Sequence, residues 1–215
     1  NAGIRFSTLC AMVEDKSFQV DNYYSLSVDW SQTPDGHYYS SKAPGPTLLA
    51  YPIFWLLDSL ITAGVESREE RDRIRLKARS TTMPLVCLIL IALPFAGLAG
   101  YWLQRLSASN TSLSALHATA LAFLFGNTTS FFANNLFSHA MVATLLLGAV
   151  TLIQTRHAFW AGLAFGWAVL SDYSIALLIP LLSYVFLSHF SLDRKAWGKL
   201  VLGGLAPLLL LIAYH

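Results

Sequence analysis

Seven apolar runs divided by short polar connections govern what this chain can fold into. They occupy residues 46–64, 83–104, 112–126, 138–154, 158–171, 174–190 and 200–214. Each run is continuous, without the alternation of a β-barrel strand. In hydrocarbon every backbone N–H and C=O must be paired within its own segment, so runs of this kind are helices. The rest of the composition agrees. Of the 215 residues, 55% are hydrophobic and only 12% charged, with a mean hydropathy of +0.52. An average soluble domain carries about 25% charged residues. The sequence therefore predicts an all-α, polytopic membrane helical bundle and excludes a disordered chain or an ordinary soluble enzyme. A net charge of +2 is too small to call for a polyanion, so no nucleic-acid partner is expected. Cys10 and Cys87 form neither a disulfide framework nor a zinc site. The chain opens at Asn1 and stops in an apolar run at His215, so a longer parent protein is expected.

Two domains follow from the polarity. Residues 1–44 hold most of the isolated polar and aromatic groups, and residues 45–215 hold the apolar segments. Ile4, Leu9, Met12 and Val13 recur at near-helical spacing, which predicts a short amphipathic helix at the membrane interface. Gln32-Thr33-Pro34-Asp35-Gly36 is a strong turn signal, and Lys42-Ala43-Pro44-Gly45-Pro46 is a second. Orientation comes from Lys and Arg. Residues 66–79 carry six of the fourteen bases, which predicts a cytoplasmic basic loop and an extracytoplasmic 1–44 region. With run 112–126 not fully crossing, His139 and Asp172 fall on the same face as residues 1–44. The acids of 66–79 stand three or four residues from bases, the pattern of a salt-bridged, solvated helix.

The densest chemistry is the stretch Asp29 to Gly45, with two carboxylates, an imidazole, phenols and an ammonium. A carboxylate there can take a proton from an attacking hydroxyl, or it can help hold a divalent cation. A neighbouring Lys or His can neutralise a leaving phosphate. The competing reading is a solvated loop anchored by interfacial tyrosines. His139 opens one apolar run and is either a helix-end polar group or a ligand. Asp172 lies between two runs and is either an N-cap for the helix from Tyr173 or a functional acid. Asp58 is the one charge inside run 46–64, with no partner visible in the sequence. Asn110-Thr111-Ser112 and Asn127-Thr128-Thr129 match glycosylation sequons.

The run Asp35 to Pro52, centred on Tyr38-Tyr39-Ser40-Ser41-Lys42-Ala43-Pro44-Gly45-Pro46, resembles a motif of bacterial multi-spanning glycosyltransferases of the C-type (GT-C) fold. These use polyprenyl-phosphate sugars and are related to protein mannosyltransferases and the lipid A aminoarabinose transferase. The resemblance continues at Asn1–Asp21, at Leu136-Phe137-Ser138-His139-Ala140, and at Gly162 to Tyr173, collinear over most of residues 1–180. It implies a multi-pass protein of the bacterial inner membrane, serving the cell envelope. It implies inverting transfer of a sugar from a polyprenyl-phosphate donor to an extracytoplasmic acceptor. By the resemblance Asp29, then Asp35, is the acidic residue that serves as catalytic base. Arg5, His37, Tyr38, Tyr39, Lys42, His139, Asp172 and Tyr173 bind the donor phosphate or substrate. The only cofactor it admits is a divalent cation, with no defined ligand set. Partners are the lipid-linked sugar, membrane lipid and further membrane subunits. Asn1 stands near the place where many members carry an acidic pair, which leaves a second reading: a non-catalytic membrane subunit of a larger complex. A transporter would show inverted repeats, and none aligns here.

Overall fold

The computed structural model describes residues 2–109, 112–125, 136–180 and 193–214. Asn1, both sequons in part or whole, Asn134-Asn135 and most of run 174–190 lie outside the described residues. Within them the protein is predominantly helical. The helices are α1 (Ala2–Glu14), α2 (Gly45–Ile61), α3 (Arg68–Cys87), α4 (Leu93–Ser107), α5 (Leu113–Phe125), α6 (Ser138–Gln154), α7 (Ala158–Ser171) and α8 (Arg194–Tyr214). Short 3-10 turns cover Tyr24–Leu26 and Tyr173–Leu178. One antiparallel hairpin, β1 (Trp30–Gln32) and β2 (Tyr38–Ser40), modifies the all-α expectation.

Local chemistry accounts for the boundaries. Pro46 enters the first turn of α2, where its fixed φ fits and its missing N–H costs nothing. Ser67 caps α3, its hydroxyl accepting from the Glu70 N–H, and Glu69 and Glu70 favour the positive end of the helix dipole. The turn predicted at 32–36 closes the hairpin, with Gly36 at φ +92°. α3 runs into α4 through a π-helical turn at Leu88–Ala92. Pro94 has no N–H to close the turn onto residue 90, and a widened turn relieves it.

The bundle has two ends. At the first, the start of α1 reaches Leu136, Gly45 of α2 abuts Ser171 at the end of α7, and Phe18 packs edge-on against Tyr214 of α8, ring centres 5.0 Å apart. At the second, Trp102 of α4 donates to Thr151 of α6 at 3.0 Å, and Trp197 and Leu200 of α8 pack on Ile153. The main core gathers α1, α2, α3 and the start of α6, with Ile4, Phe6, Leu9, Phe54, Val86 and Met141 inside it.

Three expectations are corrected here. α1 is not an amphipathic surface helix, because every residue from Ile4 to Ala11 is buried. It is wrapped by α2, α3 and the 15–44 segment, so polar Ser7 and Thr8 satisfy themselves on backbone carbonyls. Run 46–64 does not leave the polar end. α2 starts against Ser171 and its Asp58 pairs with Arg75 in the charged half of α3, so both its termini stay at the first end. It is α2 that shows an apolar outer face, at Trp55, Leu56, Leu60 and Ile61. Finally, segment 66–79 is neither separated from residues 1–44 nor fully solvated. Arg68 pairs with Asp15 at 2.7 Å, Arg71 with Glu14, and Tyr23 donates to Asp72 at 2.9 Å. Groups in direct contact occupy one compartment. The density of bases had pointed to a separate loop because the partners Glu14 and Asp15 lie more than 50 positions upstream.

Candidate functional site

The site is assembled where the hairpin, α1, α2, α6 and α7 meet at the first end. The pairing Trp30↔Ser40 brings the residues flanking the hairpin together. The Asp29 carbonyl accepts from the Ser41 N–H and hydroxyl, and Lys42 Nζ lies 3.0 Å from Asp29 Oδ1. One turn into α1, Arg5 is only 2% exposed. Its Nη1 donates to the Leu136 carbonyl at 3.3 Å, while its buried Nε has no partner among the described residues. Burial pushes the guanidinium down to about 10, against the opposing pull of Asp172 and Asp29. It remains charged at neutral pH, a cation held out of water and favoured by two carboxylates.

Across the site, His139 Nδ1 stands 3.4 Å from Asp172 Oδ2. The other Asp172 oxygen accepts from the Ser174 N–H and hydroxyl, so this acid both caps the Tyr173–Leu178 turn and faces the imidazole. Lys42 also borders a narrow crevice with Thr8, Phe18 and Tyr214.

Not every candidate joins this group. Arg5, Asp29, Lys42, His139 and Asp172 converge, and half-exposed Tyr173 follows Asp172 directly. Asp35 and His37 do not. Asp35 is exposed at the hairpin tip, one strand length from Asp29, with Thr33 as its hydrogen-bond partner. His37 pairs with Asp21 at 2.7 Å, and that contact holds the imidazole above its ordinary value. Asp21 also accepts from the Tyr38 N–H at 2.7 Å, so it fastens the second strand. Tyr38 stacks on Tyr24 at 4.3 Å and meets Trp30 edge-on. Tyr39 accepts from Gln19 through its hydroxyl. Among the described residues no three His, Cys, Asp or Glu side chains converge as a cation site.

A second charged assembly joins α1, α2 and α3. Arg75, 3% exposed, forks onto Asp58 with contacts of 2.7 and 2.9 Å and reaches Glu14 at 2.8 Å and Asp72 at 3.0 Å. Arg71, foremost, holds the Glu14 carboxyl down at about 2, with Arg75 adding to it. This network ties α1, α2 and α3 together, and it supplies the partner that Asp58 lacked in the sequence. The spacing Asp58 to Arg75 crosses a helix–turn–helix, so no local pattern announced it.

No family model matches this chain, and neither does any curated protein or solved structure compared with it. The resemblance to GT-C transferases therefore rests on the residues quoted above.

Proposed function

We propose that the protein is a multi-pass membrane glycosyltransferase that moves a sugar from a polyprenyl-phosphate donor to an extracytoplasmic acceptor with inversion. The membrane part of this reading is supported first by the helix from Arg68 to Ser107. It carries no charge between Arg79 and Arg105, 25 intervening residues, or about 37 Å of helix. That length matches a bilayer core of about 30 Å with its headgroup margins. Tyr101 and Trp102 sit beside Arg105 at the far end, the positions favoured by interfacial aromatics. α8 is the second helix long and apolar enough to cross, and Leu88, Ile89, Leu93, Leu202 and Leu209 are exposed on these two.

Charge supports the direction. The short connections at the second end carry Arg105, Arg156, Arg194, Lys195 and Lys199 with Asp193 as the only acid. The other nine bases lie at the first end with the remaining eleven acids, in a folded unit too long for the positive-inside rule to govern. The second end is then cytoplasmic and the site extracytoplasmic. Run 112–126 crosses in this scheme.

The chemistry is carried by one observation: a buried, partly unpaired Arg5 within the field of Asp29 and Asp172, which pair in turn with Lys42 and His139. The acceptor oxygen bonds to the anomeric carbon as the carbon–phosphate oxygen bond breaks. Asp29 receives the acceptor proton, and the polyprenyl phosphate leaves toward Arg5, Lys42 and His139. The subunit reading is favoured by the Lys42–Asp29 contact, since a carboxylate neutralised by an ammonium is a weaker base. Asp29→Asn in the full-length protein separates them. Transfer of labelled sugar from a lipid-linked donor should fall by about a hundred- to ten-thousandfold, with normal membrane insertion. Wild-type transfer by the variant would remove Asp29 from the role, and no transfer by either protein would favour the subunit.

A further inference from the structure

A cavity of about 350 Å³ lies between the start of α1, the middle of α3 and Leu136. Arg79 and Ser80 supply its polar wall, and Leu76, Met83 and Pro84 much of the remainder. We propose that it binds the phosphate of an anionic phospholipid at Arg79, distinct from the Arg5–Lys42 cluster although Leu136 borders both. This rests on the membrane reading of α3 and not on the transfer chemistry.

Arg79 is the last charge on α3 before the uncharged stretch, so it stands at headgroup depth. Arg68, Arg71 and Arg75 all pair with carboxylates, whereas among the described residues no carboxylate contacts Arg79. Its guanidinium instead lies over the Phe6 ring, 4.9 Å from the centroid. A guanidinium seated over a ring can keep donors free for a phosphate that accepts two parallel hydrogen bonds. The exposed Ser80 adds a hydroxyl one residue on. Below the cavity the same helix face continues through Pro84 to Leu88, spaced four residues apart, with Leu85 and Ile89 alongside. Those side chains are exposed and apolar, a track for an acyl chain directly beneath a cation. A bare phosphate would leave most of the volume empty, whereas a lipid adds a glycerol and the start of its acyl chains.

Native mass spectrometry of the full-length protein, released from nanodiscs of phosphatidylcholine with a minority of phosphatidylglycerol, tests this. The wild type should retain phosphatidylglycerol. Arg79→Gln should lower the retained fraction about ten- to a hundredfold, the worth of a charged hydrogen bond. Ser80→Leu, at an exposed helix position, blocks the cavity mouth without touching the Phe6 stack and should do the same. Undiminished retention in both variants would overturn the proposal. So would equal retention of phosphatidylcholine, displacement by millimolar inorganic phosphate, or loss in Lys42→Gln alone, which would put the lipid phosphate at the other cluster. Sugar transfer is not read in this assay, so its outcome is independent of the transferase reading.

Discussion

Arg75 is the residue on which the arrangement of the first three helices turns. It is buried with three carboxylates around it, Asp58, Glu14 and Asp72, and Arg71 shares Glu14. Buried pairs of this kind contribute little net stability against an apolar replacement of all partners, but removing one member leaves the others charged and dry. Arg75→Met strands Asp58, itself only 2% exposed. The expected loss is about 3–5 kcal/mol, read as a lower thermal midpoint in detergent. An unchanged midpoint would mean that water reaches Asp58 once the guanidinium is gone. The same pair marks a boundary of what the sequence discloses. Asp58 stood out as an isolated acid in an apolar run, and Arg75 was one of six bases in a charged stretch. Only the fold of the turn at residues 62–67 brings them together. By contrast, Asp29 and Lys42 could be placed in one group beforehand, because the Pro34–Gly36 turn between them folds the chain back on itself.

At the scale of elements, the tightest joint is between α7 and α8. A Cβ on Gly162 would overlap the Leu200 carbonyl, one on Gly166 would lie 2.5 Å from the Gly204 carbonyl, and one on Gly203 would overlap the Phe159 carbonyl. Small residues four apart allow backbones to approach closely where lipid gives no hydrophobic drive between helices. Gly162→Ala should therefore force the two helices apart and destabilise by about 1–3 kcal/mol. Gly97 and Gly100 on α4 meet nothing within 4 Å. Alanine there should be neutral or stabilising by up to about 1 kcal/mol. Thermal midpoints of the three variants decide it, and equal effects at all three positions would rule out a close-packed joint. Helix existence was legible from the apolar runs, and α6 and α7 match runs 138–154 and 158–171 almost to the residue. Helix location was not. α1 and α2 exchanged their expected roles because periodicity reports how a helix divides its residues, and says nothing of what covers each side. α1 carries small polar residues that hydrogen-bond to backbone and so tolerate full burial. α2 carries Trp55, Leu56 and Leu60, which stay exposed.

The whole molecule then divides into a polar cap and an apolar body, and the boundary runs across α3 near Arg79. The cap holds residues 2–79 as one unit, fastened by Glu14, Asp15 and Tyr23 to α3 and by Gly45 to α7. Counting bases along the sequence had put residues 66–79 across the membrane from residues 1–44. The ion pairs put them together, and Arg105 then falls with the other bases of the second end, as the charge rule asks. Single cysteines in a background lacking Cys10 and Cys87, which are both buried, test the division in intact cells. Cysteine at Ser40 and at exposed Arg73 should both react with an impermeant maleimide from outside. Cysteine at exposed Arg156 or Lys199 should react only after permeabilisation. Labelling of Ser40 and Arg73 from opposite sides would break the cap. Labelling of all four from outside would end the membrane reading, because the 25 uncharged residues between Arg79 and Arg105 would then separate nothing. On the proposed function, that pattern would leave the Arg5, Asp29, Lys42, His139 and Asp172 cluster open to an acceptor in the outer compartment, with donor lipid reaching it from the side.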